Sequence, residues 1–276
     1  MKKFSIKKES GKILAEVYAY LDETSGSNKN HLLESILQKV PKITKIGFAG
    51  FKSKANLRYN LKWSVFDKKE SMLKPYRNSL ELKRLTKETI LNCNRVLPTK
   101  SRLYIFIFPT AQYFVVKRMD GVNGYSWHEY SILLYVRPGV KGWKQAFKET
   151  LCHEYLHAVQ PAYHKNKLRI IDWLVFDGLA EQFTKEVLKN TKSVVTKVLT
   201  RKQAASIFNK IKSKVKSYDE KLHMDLFYNG KKFPVWAGYS LGYQVVGDYL
   251  EKHKPINWKE LITIPPSMML KESKFV

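Results

Sequence analysis

The spacing of apolar positions changes character near residue 98. In RNSLELKRLTKETILNCNRVL, residues 77–97, apolar side chains fall at 80, 82, 85, 90, 91, 96 and 97. That spacing predicts a long amphipathic helix, closed by Pro98. KNHLLESILQKV, 29–40, has helical spacing too and stops before Pro41. Residues 55–66 read as an extended segment. Beyond Pro98 the runs become short and continuous: SRLYIFIFP (101–109), AQYFVVKRM (111–119) and EYSILLYVRP (129–138) have strand length, and DGVNGYSW (120–127) carries glycines read as a turn. From 141 onward helical spacing returns over 141–164, 172–190, 202–216 and 235–253, with Asp172 a candidate cap for the second of these. The order is α+β: a mixed region over 1–100, a small mixed or antiparallel sheet over 101–137, and a helical half that completes a second region, 101–276.

Composition narrows the class. The 276 residues are 44% hydrophobic and 13% aromatic, enough to bury a sizeable core. Runs such as LYIFIF and SILLYV fall short of the roughly 18 apolar residues of a membrane span, so none is expected. The N-terminal MKKFSIKKESGK lacks the apolar stretch of a secretory signal. Two cysteines, Cys93 and Cys152, far apart in sequence, do not make a disulfide framework and fit a cytoplasmic location. Net charge is +26, from 50 basic and 24 acidic residues. Forty-one of the basic residues are lysines, dispersed with mild concentrations at 2–12, 68–87 and 185–232. Base readout and tight phosphate recognition favour arginine forks, so nucleic acid is not the favoured partner; a lysine-rich surface composition is the favoured reading of the charge, with electrostatic attraction of acidic substrates as the alternative.

The candidate chemistry sits in LCHEYLHAVQ, 151–160. On a helix, His153 and His157 share one face a turn apart and can offer ring nitrogens to one point. Zinc accepts neutral imidazole, and Glu154 beside the first histidine is placed to move a proton without binding the metal. This is the H-E-x-x-H arrangement of zinc proteases. A catalytic zinc takes three protein ligands and keeps one position open. Gln160 and Tyr163 stand where a metzincin needs Gly and His, and His164 is beyond reach. IDWLVFDGLAEQF, 171–183, supplies two carboxylates four apart, Asp177 and Glu181, either of which could complete the site; Gly178 would let that helix approach the metal helix. His223 is a weaker candidate in a polar loop. Cys152 points to a different face of the metal helix, as a small buried residue.

HEYLHAV, DGLAEQF and GYSLGYQVVGDYLEKH (238–253), with DGVNGYSW and SILLYV before them, resemble the gluzincin zinc peptidases. The likeness is closest to a bacterial family of predicted Zn-dependent proteases of unknown function, over roughly 101–253. It implies a zincin-like fold, one Zn2+, a peptide or protein substrate, and hydrolysis with Glu154 as general base. It also implies that Asp177, twenty residues after His157, occupies the position of the third ligand, where the family usually has glutamate. Glu181 would then orient a histidine, and Tyr239 or Tyr243 would meet the oxyanion. SILLYV is the candidate edge strand for an extended substrate, or else a core strand. The aminopeptidase signature G-x-M-E-N is missing, which leans toward an endopeptidase. The competing reading is an inactive zincin-like domain that binds an acidic protein or nucleic acid through its lysines. Oligomeric state is not legible.

Overall fold

The computed structural model describes residues 1–22, 29–66, 76–164 and 167–276; the first part of the lysine concentration at 68–87 lies outside them. They gather into two compact units, Met1–Val159 and Gln160–Val276. The architecture is α+β, with a mixed five-stranded sheet in the N-terminal half and helices in the C-terminal half.

In the first unit, β1 (Lys2–Lys7) and β2 (Ile13–Ala19) are followed by α1 (Lys29–Lys39), the short pair β3 (Lys42–Ile43) and β4 (Gly47–Phe48), then α2 (Lys54–Val65) and α3 (Ser79–Val96). Next come β5 (Leu103–Pro109), α4 (Tyr113–Arg118), β6 (Val122–His128), β7 (Ser131–Val136) and α5 (Trp143–Val159). The sheet order is β1-β2-β5-β7-β6. β2, β5 and β7 run parallel, with antiparallel β1 and β6 at the edges. β5 and β7 are covered on both faces, which is why LYIFIFP and SILLYV read as unbroken apolar runs. On one face, α1 and α2 pack Leu33, Ile36, Leu57 and Leu61 against Tyr18, Phe106 and Leu133. Tyr18 stacks on Phe106, and Tyr20 on Phe108, at 5.2 and 5.0 Å between ring centroids. On the other face lie α3 and α5. Cys93 of α3 and Cys152 of α5 are both buried, with sulfurs 3.4 Å apart. Burial pushes the Cys93 thiol well up, so it stays protonated.

Three expectations change in this unit, and one open alternative is resolved. Residues 54–65 are helical, not extended: Ser53 caps the first turn by accepting from the Asn56 N–H at 3.2 Å, and Leu57, Leu61 and Val65 repeat every fourth residue toward the core. AQYFVVKRM holds the short helix α4, with Val115 its one buried side chain. The turn in DGVNGYSW is confined to Asp120 and Gly121, whose φ values are +47° and +78°; from Val122 the chain is strand. Consequently β6 is the sheet's edge, and SILLYV lies inside it.

The second unit opens with a 3-10 turn at Pro161–His164 and is otherwise helical: α6 (Ile170–Leu188), α7 (Arg201–Ile211), α8 (Glu220–Met224), α9 (Ala237–Lys252), α10 (Trp258–Leu261) and α11 (Pro266–Lys271). Arg169, not Asp172, caps α6. The Asp172 carboxylate sits in the first turn and accepts from the Arg169 backbone N–H at 2.9 Å. α6 and α9 pack at backbone contact. A Cβ on Gly178 would lie 2.2 Å from the Gly242 carbonyl oxygen, and one on Gly242 only 1.9 Å from that of Leu174. Gly178 therefore serves the approach of α9, where the sequence suggested the helix of the histidine pair. No helix among the described residues is long and apolar enough to cross a membrane.

Candidate metal centre

α5 turns from amphipathic to fully packed along its length. Trp143, Phe147 and Leu151 repeat every fourth residue toward the core, and from Glu154 to Val159 every residue is buried. The helix therefore holds its polar side chains inside packed surroundings, where their rotamers are constrained. His153 and His157 face each other one turn apart: their Nε2 atoms are 3.0 Å apart and their rings cross at 79°. Two nitrogens bound to one tetrahedral zinc at roughly 2.0–2.1 Å stand about 3.3 Å apart, so the pair is close to a coordination edge.

Asp177 is buried on α6. One ligand atom from each of His153, His157 and Asp177 lies within 4.8 Å of the others. Two imidazoles and a carboxylate form an N2O set that suits zinc and leaves a position open. The residues present fit the metal that the motif implies. Glu181, one turn along α6, is outside this cluster; its carboxylate accepts a hydrogen bond from the Ser193 hydroxyl at 2.9 Å.

Glu154 is buried on the same helix as the histidines. The strand β6 passes directly over it. A Cβ on Gly124 would lie 2.6 Å from both Glu154 Cγ and Thr150 Cγ2. Gly124 is therefore a close-approach glycine rather than a turn glycine, and it brings the sheet edge against the glutamate.

The tyrosines of GYSLGYQ separate. Burial pushes the Tyr239 phenol well above its ordinary range, helped by Tyr228, with which it hydrogen-bonds, by Asp177 and by Tyr163. It remains a neutral donor, in electrostatic contact with Asp177. Tyr243 instead lies under the Lys185 ammonium, 6.0 Å from the ring centroid. His223 is on α8, not in a loop, stacked on Trp173 at 4.5 Å. Burial lowers its pKa, against the opposing charges of Asp177 and Glu220. Sequence reasoning missed Tyr228 and the role of Gly124; no local spacing marks either.

Residues 82–271 match the model of a family described as predicted Zn-dependent proteases, DUF2268. The chain belongs to this family. The match runs from α3 through α11 and so contains both histidines, Glu154, Asp177, Glu181 and Tyr239. No curated protein matches the chain.

Proposed function

We propose that the protein is a zinc-dependent endopeptidase of the gluzincin type. The observation that carries this reading is the convergence of His153, His157 and Asp177 within 4.8 Å, with Glu154 on the same helix as the histidines. These three residues would hold the metal. Zinc, when bound, supplies a Lewis acid for the scissile carbonyl and makes a water easier to deprotonate. Glu154 takes the proton of the attacking water and delivers it to the leaving amine. Its burial against Gly124 and Thr150 restricts its rotamers, so the base is held in place. Tyr239, kept protonated by burial, donates a hydrogen bond to the oxyanion of the tetrahedral intermediate. Glu181, tied to Ser193, supports the site without binding the metal. The missing exopeptidase signature favours internal cleavage, and the net charge of +26 favours acidic peptides. The two packed thiols fit a reducing cytoplasm.

The test is Glu154→Gln. It is expected to keep about one zinc per chain by elemental analysis and to lose peptide hydrolysis by about a hundredfold or more, the scale of a lost general base. Near wild-type cleavage of casein by this variant would overturn the reading. So would zinc-replete wild-type protein that holds no metal. A protein that binds acidic partners equally well with and without chelator, and hydrolyses none, would instead be the inactive lysine-rich binding domain.

A further inference from the structure

Beside the sheet edge lies a groove of about 460 Å³, lined by Phe51, Ala55, Asn56, Tyr59, Asn60 and Trp127. Phe51 packs against the core, but the other two aromatic residues stand clear of it. Tyr59 is 70% exposed and Trp127 55%. Trp127 is turned outward by an extra residue in β6: the pairing with β7 steps from Tyr125↔Leu133 to His128↔Ser131, so three residues of β6 span two of β7. It is held there by stacking on Tyr125, with ring centroids 5.3 Å apart and planes at 18°. Clusters of exposed aromatic rings on a rigid element mark binding surfaces.

We propose that this groove is a specificity subsite that takes a large aromatic side chain of an extended, acidic peptide substrate laid along the outer edge of β6. The proposal rests on the peptidase reading and names the substrate class of that site. Three observations converge on that occupant. First, β6 is the last strand of the sheet, and among the described residues no further strand pairs with its outer edge; a peptide added there forms main-chain hydrogen bonds. Second, the strand joins the groove to the base. Gly124 abuts Glu154 on one face of the sheet. Tyr125, paired with Leu133, belongs to the opposite face, where α2 packs. Side chains of an added strand alternate between those faces, so residues flanking one aimed at Glu154 point to the groove side. Gly124 and Trp127 are three residues apart, roughly 10 Å along a strand, which sets the aromatic side chain about three residues from the scissile bond. Third, α2 carries Lys54 and Lys62 and no acidic residue, Arg58 being paired with Glu34 of α1, so the two lysines make this rim complementary to an acidic peptide. Phe51 and Tyr59 also lie outside the span matched by the family, residues 82–271. The groove is thus built partly by this chain's own N-terminal segment.

The experiment uses quenched peptides of glutamate and alanine with a single phenylalanine moved along the sequence, and the same peptide without it. Cleavage is expected at a constant displacement from the phenylalanine. Tyr59→Ala with Trp127→Ala should lower kcat/KM for the phenylalanine peptide about tenfold or more, as loss of an aromatic anchor does, and leave the phenylalanine-free peptide unchanged. Equal loss on both peptides, or loss on neither, overturns the proposal. A second arm measures peptide affinity by fluorescence anisotropy on Glu154→Gln protein, with and without the two groove substitutions. If wild-type protein hydrolyses nothing but the groove substitutions still weaken binding of the phenylalanine peptide alone, the peptidase reading falls and the subsite stands. If they release the protein from anionic phosphatidylserine vesicles while peptide affinity is unchanged, the aromatic surface is a lipid contact and the subsite falls.

Discussion

Asp177 and Glu181 differ by one helical turn and one methylene, and their neighbours set them apart. A carboxylate oxygen of Asp177 lies within 4.8 Å of a ring nitrogen of each histidine, whereas Glu181 Oε2 accepts a hydrogen bond from the Ser193 hydroxyl. Asp177→Asn is therefore expected to weaken zinc binding far more than Glu181→Gln. A metal-binding oxygen is lost in the first case; in the second the loss is of the 10–100-fold kind typical of an orienting partner. Competition with a zinc chelator measures both, and a Glu181→Gln protein that empties first would exchange the two roles. Tyr239→Phe removes a hydroxyl whose proton is secured by burial. It is expected to lower kcat about a hundredfold with little change in KM, as for a lost oxyanion donor. Steady-state kinetics on one peptide decides this, and an unchanged kcat would remove Tyr239 from the mechanism. At this scale the histidine pair was legible in sequence, because both partners sit on one helix and helical geometry alone brings them together. Both carboxylates stand as candidates in the sequence, where Asp177 is favoured; the Ser193 contact of Glu181 has no signal in the spacing.

Elements in this protein are positioned by glycines at close contacts. On β6, Gly124 has no room for a side chain against Glu154 and Thr150. Gly124→Ala is expected to displace either the strand or the glutamate, so that hydrolysis falls while zinc content is unchanged; parallel metal analysis and kinetics would show it, and full activity would mean that the strand yields harmlessly. On α9, an alanine at 242 would meet the Leu174 carbonyl, which is backbone and cannot move aside cheaply. The resulting overpacking should cost about 1–3 kcal/mol of stability, read as a lower urea midpoint. α4 carries Tyr113, Phe114, Val115 and Val116 among its six residues, and their strand preference is weak and yields to packing. In α2 the four-residue repeat of Leu57, Leu61 and Val65 and the Ser53 cap were the better signals. In β6, glycine was read as a turn residue, although a glycine within a strand also marks the close approach of another element.

For the whole molecule the dominant property is charge. At +26, the proposed acidic peptide would be drawn in by a long-range field that salt screens, with a Debye length of about 10 Å at 0.1 M. Raising sodium chloride from about 0.05 to about 0.5 M should reduce kcat/KM several-fold for an acidic peptide and little for a neutral one of the same length. Equal responses would show that the lysines serve the surface generally rather than the substrate.

The sequence alone determined the features set by local period and chemistry: the amphipathic α3, the buried runs of β5 and β7, the α+β order, and two histidines with a glutamate on one helix face. Each depends on residues a few positions apart, where backbone geometry leaves little freedom. Tertiary structure decided the features that depend on distant neighbours. It placed β1 and β2 in the same sheet as β5, put β6 rather than β7 at the edge, and set Gly178 against Gly242. It also set Cys93 beside Cys152. A hydrophobic pattern records that a face is buried and not what buries it, so these pairings appear only when the chain has packed.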